Sequence, residues 1–387
     1  MPRIFINGIS AKSAGGKSIL TNFLKVAREA NDGFSFCVVV PNMSGYSEFA
    51  GDRIEIVDVG RLSATIMIPF ASMTVLRRLP RKRECDLVLN LATIPIPTRL
   101  PQVFLCDWPY AAFLDSPAWK MSTRTDRLIR RSKLFFFKRF LRFVDVMLAQ
   151  NSVLAQHIAH NYRLPNVEII PNAVSLDNLR DSSDFDFSLG DGFKLLCLSR
   201  YYSHKNIEIF LPLAESIKST GIRAKIITTL SPNDGLGAKR FLEDVEKRGL
   251  GDVIVNLGTV PMAHVPSLYA QTDALLLPTL LESFSGTYVE AMYHRRPILT
   301  SDLPFAHGVC KESAFYFDPN NPDDILGTIE YVMADGGERE KRTEMGAEYL
   351  EKMPGWSEVY SMFVKIFQRT LENDLSVVKY STTPSFR

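Results

Sequence analysis

Residues 274–300 read ALLLPTLLESFSGTYVEAMYHRRPILT. A short apolar run, Ala274–Leu277, leads into a turn of small residues and then into a helical pattern that begins near Thr287. A second apolar run follows at Pro297–Thr300. Two apolar runs joined by a helix are typical of a strand–helix–strand unit, in which the strands are parallel and the crossover is right-handed. This stretch therefore predicts an α/β fold with a parallel sheet.

The same succession of apolar runs and helical patterns continues over most of the chain. Helical patterns such as Ser18–Ala30 and Ser152–Asn161 separate several of the runs. The runs lack strict alternation of polar and apolar residues, which is typical of strands covered on both faces. They lie at Ile4–Asn7, Ser35–Val40, Ile54–Val57, Leu87–Leu91, Val103–Leu105, Val144–Ala149, Val167–Ile170, Lys194–Ser199, Ala224–Thr229 and Val253–Leu257.

A polar and acidic stretch at 177–192 interrupts this succession, and we interpret it as a linker. The sequence therefore predicts two Rossmann-like domains, an N-terminal one at 1–176 and a C-terminal one at 193–356. In open parallel sheets, ligands bind beyond the carboxyl ends of the strands. We expect the two domains to face each other across a cleft, with a small-molecule site in that cleft.

The composition is that of an ordinary soluble globular protein, with 387 residues of which 46% are hydrophobic and 23% charged. The formal net charge of +2 indicates no particular partner. The five cysteines show no Cys-x-x-Cys spacing and are typical of thiols in a reducing compartment. The N-terminus has no signal-peptide pattern, and no apolar stretch approaches the ~20 residues that span a bilayer. We therefore predict a cytoplasmic protein.

A glycine-containing loop, Ala11–Ser18, follows the first apolar run and opens a helical pattern. Gly15 and Gly16 allow close backbone approach to an anion, and the helix N-terminus adds free N–H groups. Lys17-Ser18 fits the phosphate-binding loop of nucleoside triphosphatases, although the strict pattern requires glycine where this chain has Ala11. Three interpretations stay open: such a loop, a structural turn, or a loop that faces a sugar-nucleotide phosphate or the acceptor.

Two cations stand just beyond the apolar run that ends at Ser199. Arg200 and Lys205 would lie at the carboxyl end of a strand, on the side where ligands bind. Arginine can bond two phosphate oxygens at once, and lysine acts as a point charge, so the pair suits a diphosphate. The alternative is a solvated basic turn.

Two glutamates flank the turn before the helix at Thr287. The turn offers free N–H groups to phosphate oxygens. Glu290, on the first turns of the helix, is suited to accept hydrogen bonds from both hydroxyls of a ribose. Glu282 lies nearer the turn, where it can face a donor sugar. The alternative is one surface acid and one acid that stabilises the helix dipole.

Glu282, seven further residues and then Glu290-Ala291-Met292 closely resemble the signature of family 4 retaining glycosyltransferases, which have the GT-B fold. Arg200 and Lys205-Asn206 resemble the residues that bind the diphosphate in this family. Further segments that are similar to the family are Gly15-Gly16, Ile169–Val174, Pro297–Asp302, Phe317–Pro319 and Gly355–Glu358.

The resemblance implies a retaining, metal-independent hexosyltransferase with a C-terminal helix, about 357–373, that packs back on the first domain. It implies a nucleotide-sugar co-substrate, no further cofactor, and a glycan or lipid-linked acceptor in bacterial surface polysaccharide or lipopolysaccharide assembly. The donor-binding residues that it predicts are Arg200, Lys205, Asn206, Glu282, Ser283, Phe284, Ser285, Gly286, Thr287 and Glu290. The predicted catalytic residues are Glu282, Arg200, Lys205 and Asp107, and the loop residues are Gly15, Gly16 and Lys17.

The chain departs from the family pattern at three places. Arg295 stands where the family usually has glycine, and Gly308 lies near where a glutamate is common. Cys106-Asp107 occupies the place where many members have a histidine that faces the sugars. We predict that Asp107 positions the acceptor and that a donor phosphate oxygen takes the acceptor proton.

The segment Lys120–Arg142 is rich in basic residues and contains the run Leu134–Phe137, with Asp126 as its only acid. This pattern predicts a basic amphipathic helix on an anionic membrane surface, which Arg77–Arg83 would extend. The protein would then be peripheral on the inner face of the membrane. The alternative is a core helix with one solvated face. No nucleic-acid-binding motif accompanies the charge, so we predict no nucleic-acid partner.

Two other functions stay open. One is a phosphate-binding-loop triphosphatase or kinase that uses Lys17, and the other is a non-catalytic subunit that binds a sugar nucleotide. We predict no metal site. Asp184-Phe185-Asp186 lies in the linker, and His157 with His160 lacks a further ligand.

Overall fold

The computed structural model describes residues 1–12, 14–173, 179 and 185–372. The chain divides into two compact units. The first unit comprises 1–114, 123–173 and the C-terminal segment from Pro354, and the second comprises 115–122 and 174–353.

The α-helices of the described residues are α1 Ala14–Glu29, α2 Ile68–Met73, α3 Val75–Lys82, α4 Pro109–Ala112, α5 Ala118–Met121, α6 Arg124–Phe140, α7 Ser152–Tyr162, α8 Phe210–Thr220, α9 Leu236–Lys247, α10 Val265–Ala270, α11 Gly286–Tyr293, α12 Pro304–Cys310, α13 Pro322–Ala334, α14 Gly336–Glu351 and α15 Trp356–Leu371.

The first unit is built on a parallel sheet in the order β3-β2-β1-β4-β5-β6-β7. Each strand pairs in parallel with its neighbour, for example Ile4 opposite Phe36 and Val103 opposite Val146. The strands are β1 Arg3–Asn7, β2 Ser35–Val40, β3 Ile54–Asp58, β4 Leu87–Asn90, β5 Gln102–Cys106, β6 Val146–Ala149 and β7 Glu168–Ile169.

The C-terminal helix α15 completes the core of the first unit. Its buried apolar residues recur at helical spacing, so that Tyr360, Phe363 and Phe367 lie on one stripe. The Phe23 ring of α1 meets the rings of Phe363 and Tyr360 with centroids 5.5 and 5.0 Å apart. Arg369 adds an ion pair of 2.6 Å with Glu168 on β7.

The second unit contains a parallel sheet in the order β10-β9-β8-β11-β12-β13. Its strands are β8 Phe193–Cys197, β9 Ala224–Thr228, β10 Ile254–Asn256, β11 Ala274–Leu277, β12 Ile298–Ser301 and β13 Ala314–Phe317. Because β8 and β11 are neighbours at the centre, the loops that follow them lie side by side at the carboxyl edge.

The predicted parallel α/β architecture is confirmed, since every apolar run named from the sequence contains a strand. One segment groups differently from the sequence prediction. Asp115–Ser122, which we assigned to the first domain, belongs to the second unit. The Ser116 hydroxyl donates a hydrogen bond of 2.9 Å to the carbonyl of Leu280, and this contact ties the segment to the loop after β11.

Candidate active site

A cavity of about 580 Å³ opens at the carboxyl edge of the second sheet. Its volume lies in the range of small-molecule sites, roughly 300–1,000 Å³. The walls come from the loops after β8, β9 and β10 and from the first turns of α11. The lining residues are Leu198, Ser199, Arg200, Thr229, Ser231, Asn233, Asp234, Thr259, Val260, Met262, Val265, Thr287 and Glu290.

Arg200 is held at one of its nitrogens and is otherwise accessible. Its Nε donates a hydrogen bond of 2.9 Å to Asp234 Oδ1, and the side chain is 61% exposed. Asp234 is buried and also accepts from the backbone N–H groups of Tyr201 and Ser231, each at 3.2 Å. Burial by itself would raise the pKa of Asp234, but the hydrogen bonds from Arg200 and the backbone outweigh it and lower the pKa. The guanidinium is thus oriented towards the cavity with its terminal nitrogens available.

Lys205 and Glu282 form an ion pair on the loops that follow β8 and β11. Both side chains are largely buried, with 15% and 14% of their surface exposed. The two loops are joined by a backbone hydrogen bond of 2.7 Å from Leu280 N–H to the carbonyl of His204. The pair therefore sits on a fixed support, and each charge compensates the other.

Asn206 has a structural role in this arrangement. Its backbone is left-handed, with φ of 56°, a region that asparagine tolerates better than most residues. Its buried amide donates a hydrogen bond of 2.7 Å to the carbonyl of Pro319. The predicted contact of Asn206 with a donor stays a prediction, because its Nδ2 already has this partner.

The helix α11 begins at Gly286, next to the predicted position Thr287. Its N-cap residue, Ser285, hydrogen-bonds the Thr287 hydroxyl at 2.8 Å and makes no side-chain cap to the backbone. The first N–H groups of the helix therefore have no cap from that side chain, which leaves them suited to an anion. Ser283 and Phe284, which precede the N-cap, are partly buried.

Glu290 points its carboxylate to the same end of the sheet. Its Oε2 accepts a hydrogen bond of 3.2 Å from the Tyr269 hydroxyl. Burial raises the pKa of Glu290, and the bond from Tyr269 lowers it by a smaller amount. The His294 ring stacks on Tyr269 with centroids 4.9 Å apart and fixes the orientation of the phenol. The carboxylate is thus positioned before any ligand arrives.

The structure brings Arg200, Thr287 and Glu290 to one cavity and places the Lys205–Glu282 pair on the adjoining loops. Cys197 is the last residue of β8, and burial raises its pKa to about 12 while the charge of Lys205 lowers it by a smaller amount. Sequence reasoning missed Asp234 and Tyr269. Asp234 follows β9, which the structure pairs with β8, so its loop reaches the same edge of the sheet.

The backbone conformation at Arg295 explains why glycine is usual at this position in the family. Arg295 has φ of 51°, a left-handed conformation that glycine adopts without strain and an arginine does not. Its guanidinium forms an ion pair with Glu344. The backbone at this position therefore retains the shape that a glycine would favour.

The candidate residues of the first unit lie at the carboxyl edge of its own sheet. Gly15 and Gly16 are in the first turn of α1, and a Cβ on Gly15 would meet no atom within 4 Å, so packing does not require glycine there. The Lys17 ammonium lies 5.7 Å from the centre of the Tyr46 ring. Asp107 follows β5, and burial raises its pKa to about 6.

Most of the basic segment forms α6, a core helix with a solvated face, whereas Lys120 belongs to α5. Phe137 and Phe140 of α6 are buried, whereas Leu128 and Phe135 are 70% and 64% exposed. The basic residues do not all face solvent, since Lys133 is buried and the Arg130 guanidinium lies 4.2 Å from the centre of the Tyr110 ring. Arg83 is likewise engaged in an ion pair with Glu55.

The sequence model of the family described as "Glycosyl transferases group 1" matches residues 180–349. This range contains Arg200, the Lys205–Glu282 pair and Glu290. Residues 180–349 are a group 1 glycosyltransferase domain. The cavity described above lies wholly within this domain.

Two curated relatives match about half of the chain. The O-antigen chain mannosyltransferase RfbU of Salmonella typhimurium is 25% identical over 201 residues, which are 51% of this chain and 54% of RfbU. The gpi3 subunit of the Schizosaccharomyces pombe phosphatidylinositol N-acetylglucosaminyltransferase is 23% identical over 213 residues, 55% of this chain and 46% of that protein. The chain thus spans about half the length of these relatives.

Solved structures of similar fold cover almost the whole chain. Sucrose-phosphate synthase from Thermosynechococcus elongatus matches with a TM-score of 0.74 and 13% identity over 96% of this chain and all of that one. HepE of Anabaena, in complex with UDP and glucose, matches with a TM-score of 0.69 and 15% identity over 95% of this chain and all of HepE. The two parallel α/β units of this chain therefore have the GT-B fold.

Within the part of the chain that the structure describes, no group of three or more His, Cys, Asp or Glu residues could hold a metal ion. Asp184 of the Asp-x-Asp sequence lies outside the described residues, and the His157 ring packs on Phe113 with centroids 4.7 Å apart. Among the described residues, no helix is both long enough and apolar enough to cross a membrane.

Proposed function

We propose that this chain is a retaining glycosyltransferase that moves a hexose-type sugar from a nucleoside diphosphate sugar to a glycan or lipid-linked acceptor. One observation carries the proposal: Arg200, Thr287 and Glu290 line a single cavity, and the Lys205–Glu282 pair adjoins it. A cation, free helix N–H groups and a carboxylate are the groups that a diphosphate joined to a ribose requires.

In this proposal, the nucleoside of the donor lies in the outer part of the cavity. Val260 and Met262 give it an apolar wall suited to a base, and Glu290 lies where it can accept hydrogen bonds from both ribose hydroxyls. HepE, which has the same fold, is known in complex with UDP and with UDP-glucose. We extend to this chain only the class of ligand, a nucleoside diphosphate sugar.

In the proposed reaction, stabilising the negative charge of the leaving group lowers the energy barrier. As the bond between the anomeric carbon and the diphosphate breaks, negative charge grows on the leaving oxygen and the sugar gains oxocarbenium character. Arg200, the Lys205 ammonium and the N–H groups at the start of α11 stabilise that charge. Lys205 turns from Glu282 to the diphosphate, which frees the Glu282 carboxylate to accept a hydrogen bond from a sugar hydroxyl. These cations supply the compensation that a divalent metal supplies elsewhere, so transfer should continue in EDTA.

In this mechanism, a phosphate oxygen of the donor takes the acceptor proton. The acceptor hydroxyl approaches the sugar on the same face that the diphosphate leaves. Attack on that face retains the anomeric configuration. Asp107 positions the acceptor hydroxyl, and its raised pKa of about 6 keeps it mostly ionised at neutral pH. RfbU, a relative named as an O-antigen chain mannosyltransferase, supports an acceptor of the surface-polysaccharide class.

We further propose that the first unit contacts an anionic membrane surface from the cytoplasmic side. The exposed apolar side chains of α2 and α6 are Phe70, Met73, Leu128 and Phe135, and both helices pack on one cluster that contains Ile68 and Phe140. The exposed basic residues of this surface are Arg77, Arg78, Arg81, Lys82, Arg131, Lys138 and Arg139. Apolar anchors among cations are typical of binding to anionic lipid.

Sedimentation with anionic liposomes tests this contact. The triple variant R131S/K138S/R139S should leave the protein in the supernatant. The control K239S/K247S/K352S removes equal charge from exposed sites of the second unit and should sediment like wild type. Equal sedimentation of both variants would show that the α6 surface is not the anchor.

A panel of nucleotide sugars, scored by binding and then by transfer to a lipid-linked acceptor, tests the proposed activity. R200A and K205A should reduce transfer by at least about 100-fold, the size of effect seen when one stabilising donor is removed. R248A is the control, because Arg248 is exposed and pairs with Glu215 away from the cavity. Binding without transfer would support a non-catalytic subunit, and ATP hydrolysis that K17A abolishes would support the triphosphatase.

A further inference from the structure

Three oxygen atoms meet beside the cavity of the second unit. Tyr269, on α10, is completely buried, and its hydroxyl oxygen lies 3.2 Å from the Thr287 carbonyl oxygen and 3.2 Å from Glu290 Oε2. The His294 ring stacks on Tyr269 with centroids 4.9 Å apart and keeps the phenol in this position. A tyrosine hydroxyl has a single proton to donate, whereas a carbonyl and an ionised carboxylate only accept. The phenol proton therefore cannot serve both contacts at once.

The bond from Tyr269 to Glu290 described above is one of two ways to place the protons of this group. With Glu290 ionised, one of the two contacts brings together two oxygen atoms that have no proton between them. With Glu290 protonated, its O–H donates to the phenol oxygen and the phenol donates to the Thr287 carbonyl, so that the three oxygens form an unbroken chain. The geometry therefore favours the protonated acid.

No cation of the described residues bonds Glu290 directly. The Glu290 carboxyl bonds one side chain in this part of the chain, that of Tyr269. Arg200 lines the same cavity, but its Nε is bonded to Asp234. Burial raises the pKa of Glu290 and outweighs the opposing effect of the Tyr269 bond. Burial and the nearby Glu290 also hold the pKa of Tyr269 well above its ordinary value, so the phenol keeps its own proton.

The elements that pack on α11 add no charge that would hold this carboxyl ionised. His294, just after α11, is uncharged at neutral pH, because burial and then the repulsion from Arg296 lower its pKa to about 4. The neighbouring strands β11 and β12 contain no ionisable side chains. On β8, the Cys197 thiol stays protonated, since burial raises its pKa to about 12. On α14, Glu344 pairs with Arg295 beyond the end of α11.

We propose that Glu290 carries a proton when no donor is bound, and that the ribose of the donor displaces this proton. The inference rests on the proposed function, which places the ribose on Glu290. Ribose hydroxyls that donate to both carboxyl oxygens require an ionised acceptor, so the acid proton passes to the solvent. The phenol proton of Tyr269 then turns from the Thr287 carbonyl to Oε2. The affinity for the donor consequently increases as pH rises through the pKa of Glu290 in the free protein.

Calorimetry with UDP-glucose, in buffers that differ in ionisation enthalpy, counts the released protons over a pH series that starts at the ordinary carboxyl pKa of 4.5. Wild type should release up to about one proton per donor and gain up to about tenfold in affinity per pH unit before the affinity levels off. E290Q should bind without releasing a proton and with an affinity that does not change with pH. E344Q, at an exposed glutamate of the same unit, should behave like wild type. Equal proton release by E290Q and wild type would overturn the proposal.

The hydrogen-bond chain is tested by removing the phenol hydroxyl. Y269F should lower the preference for UDP over its 2′,3′-dideoxy analogue by about tenfold, because Oε2 loses the bond that orients it. Y288F is the matched control, since it removes another completely buried tyrosine hydroxyl of the same unit, one that bonds Thr300. Y288F should keep the wild-type preference, and an equal preference in both variants would contradict the chain.

Carbon-13 NMR of the protein without donor separates this inference from the proposed function. The carboxyl resonance of Glu290, identified by its loss in E290Q, should titrate above the ordinary value of 4.5. A titration at the ordinary value would refute the protonated acid, however tightly a donor binds. A raised titration in a protein that binds no nucleotide sugar of the panel would support the protonated acid and count against the proposed function instead.

Discussion

Replacing Glu290 should weaken donor binding and, at the same time, stabilise the empty protein. The carboxylate is placed to accept hydrogen bonds from both ribose hydroxyls, and each hydrogen bond to a charged group contributes about 1.5–3 kcal/mol. Two such bonds amount to about 3–6 kcal/mol, and each 1.4 kcal/mol is tenfold in affinity. E290A should therefore bind a nucleoside diphosphate roughly 100- to 10,000-fold more weakly. E290Q retains one neutral acceptor oxygen and should fall between E290A and wild type.

The effect on stability has the opposite sign. Burial raises the folded-state pKa of Glu290 above its ordinary value of 4.5. Between the two pKa values the folded protein binds more protons than the unfolded chain, so the free energy of unfolding decreases as pH rises. The wild-type protein carries this penalty in full above the folded-state pKa and loses it below the unfolded pKa. E290Q should thus unfold at higher urea than wild type near neutral pH and at equal urea at about pH 4.

The binding assay is calorimetry with a ribonucleoside diphosphate and with its 2′,3′-dideoxy analogue. Wild type should prefer the ribose form strongly, and E290A should bind both ligands equally. E344A serves as the control, because Glu344 is an exposed glutamate of the same unit that pairs with Arg295. If E290A still discriminates between the two nucleotides as wild type does, Glu290 does not bind the ribose and the assignment of the cavity is wrong.

Three further substitutions test individual side chains described above. Y288F removes a buried hydrogen bond of 2.7 Å to the Thr300 hydroxyl and should cost about 1 kcal/mol in urea denaturation, because Thr300 keeps its bond to a backbone carbonyl. D234N removes the charge that orients Arg200 and should weaken donor binding about tenfold in calorimetry, while an unchanged affinity would mean that the guanidinium needs no such partner. D107N should abolish the fall in transfer rate that wild type shows as pH drops through about 6, since the Asp107 carboxylate is protonated below that value; a persisting fall would assign the titration to another group.

The strands could be predicted from the sequence because both sheets are covered on two faces, and continuous apolar runs follow from that burial. Arg200 could be predicted because it directly follows such a run, and Glu290 because it lies on the first turns of the helix that joins two of them. Asp234 and Tyr269 could not be predicted in the same way. Each contacts a site residue that is distant in sequence, and such pairs depend on strand order and helix packing, which local patterns do not specify.

The basic segment Lys120–Arg142 shows a different limit of prediction from the sequence. Counting its cations predicted one charged surface, but the helical stripe through Phe137 already contains Lys133, four residues earlier. Resolving the charges by helix face would have separated Lys133 from Arg131 and Lys138. The grouping of Asp115–Ser122 with the second unit had no such signal, because it depends on contacts with residues distant in sequence, such as the hydrogen bond of Ser116 to Leu280.

The helix α15 has a consequence for how the chain acquires its structure during synthesis. Phe23 and Phe34, near the start of the chain, are covered by Phe363 and Phe367 near the last described residues. A nascent chain that has emerged only as far as the first sheet therefore exposes an aromatic surface until the ribosome has completed α15. Translation order and folding order differ for this unit, and fragments that stop before Trp356 should recruit chaperones or aggregate even though they contain every strand of both sheets.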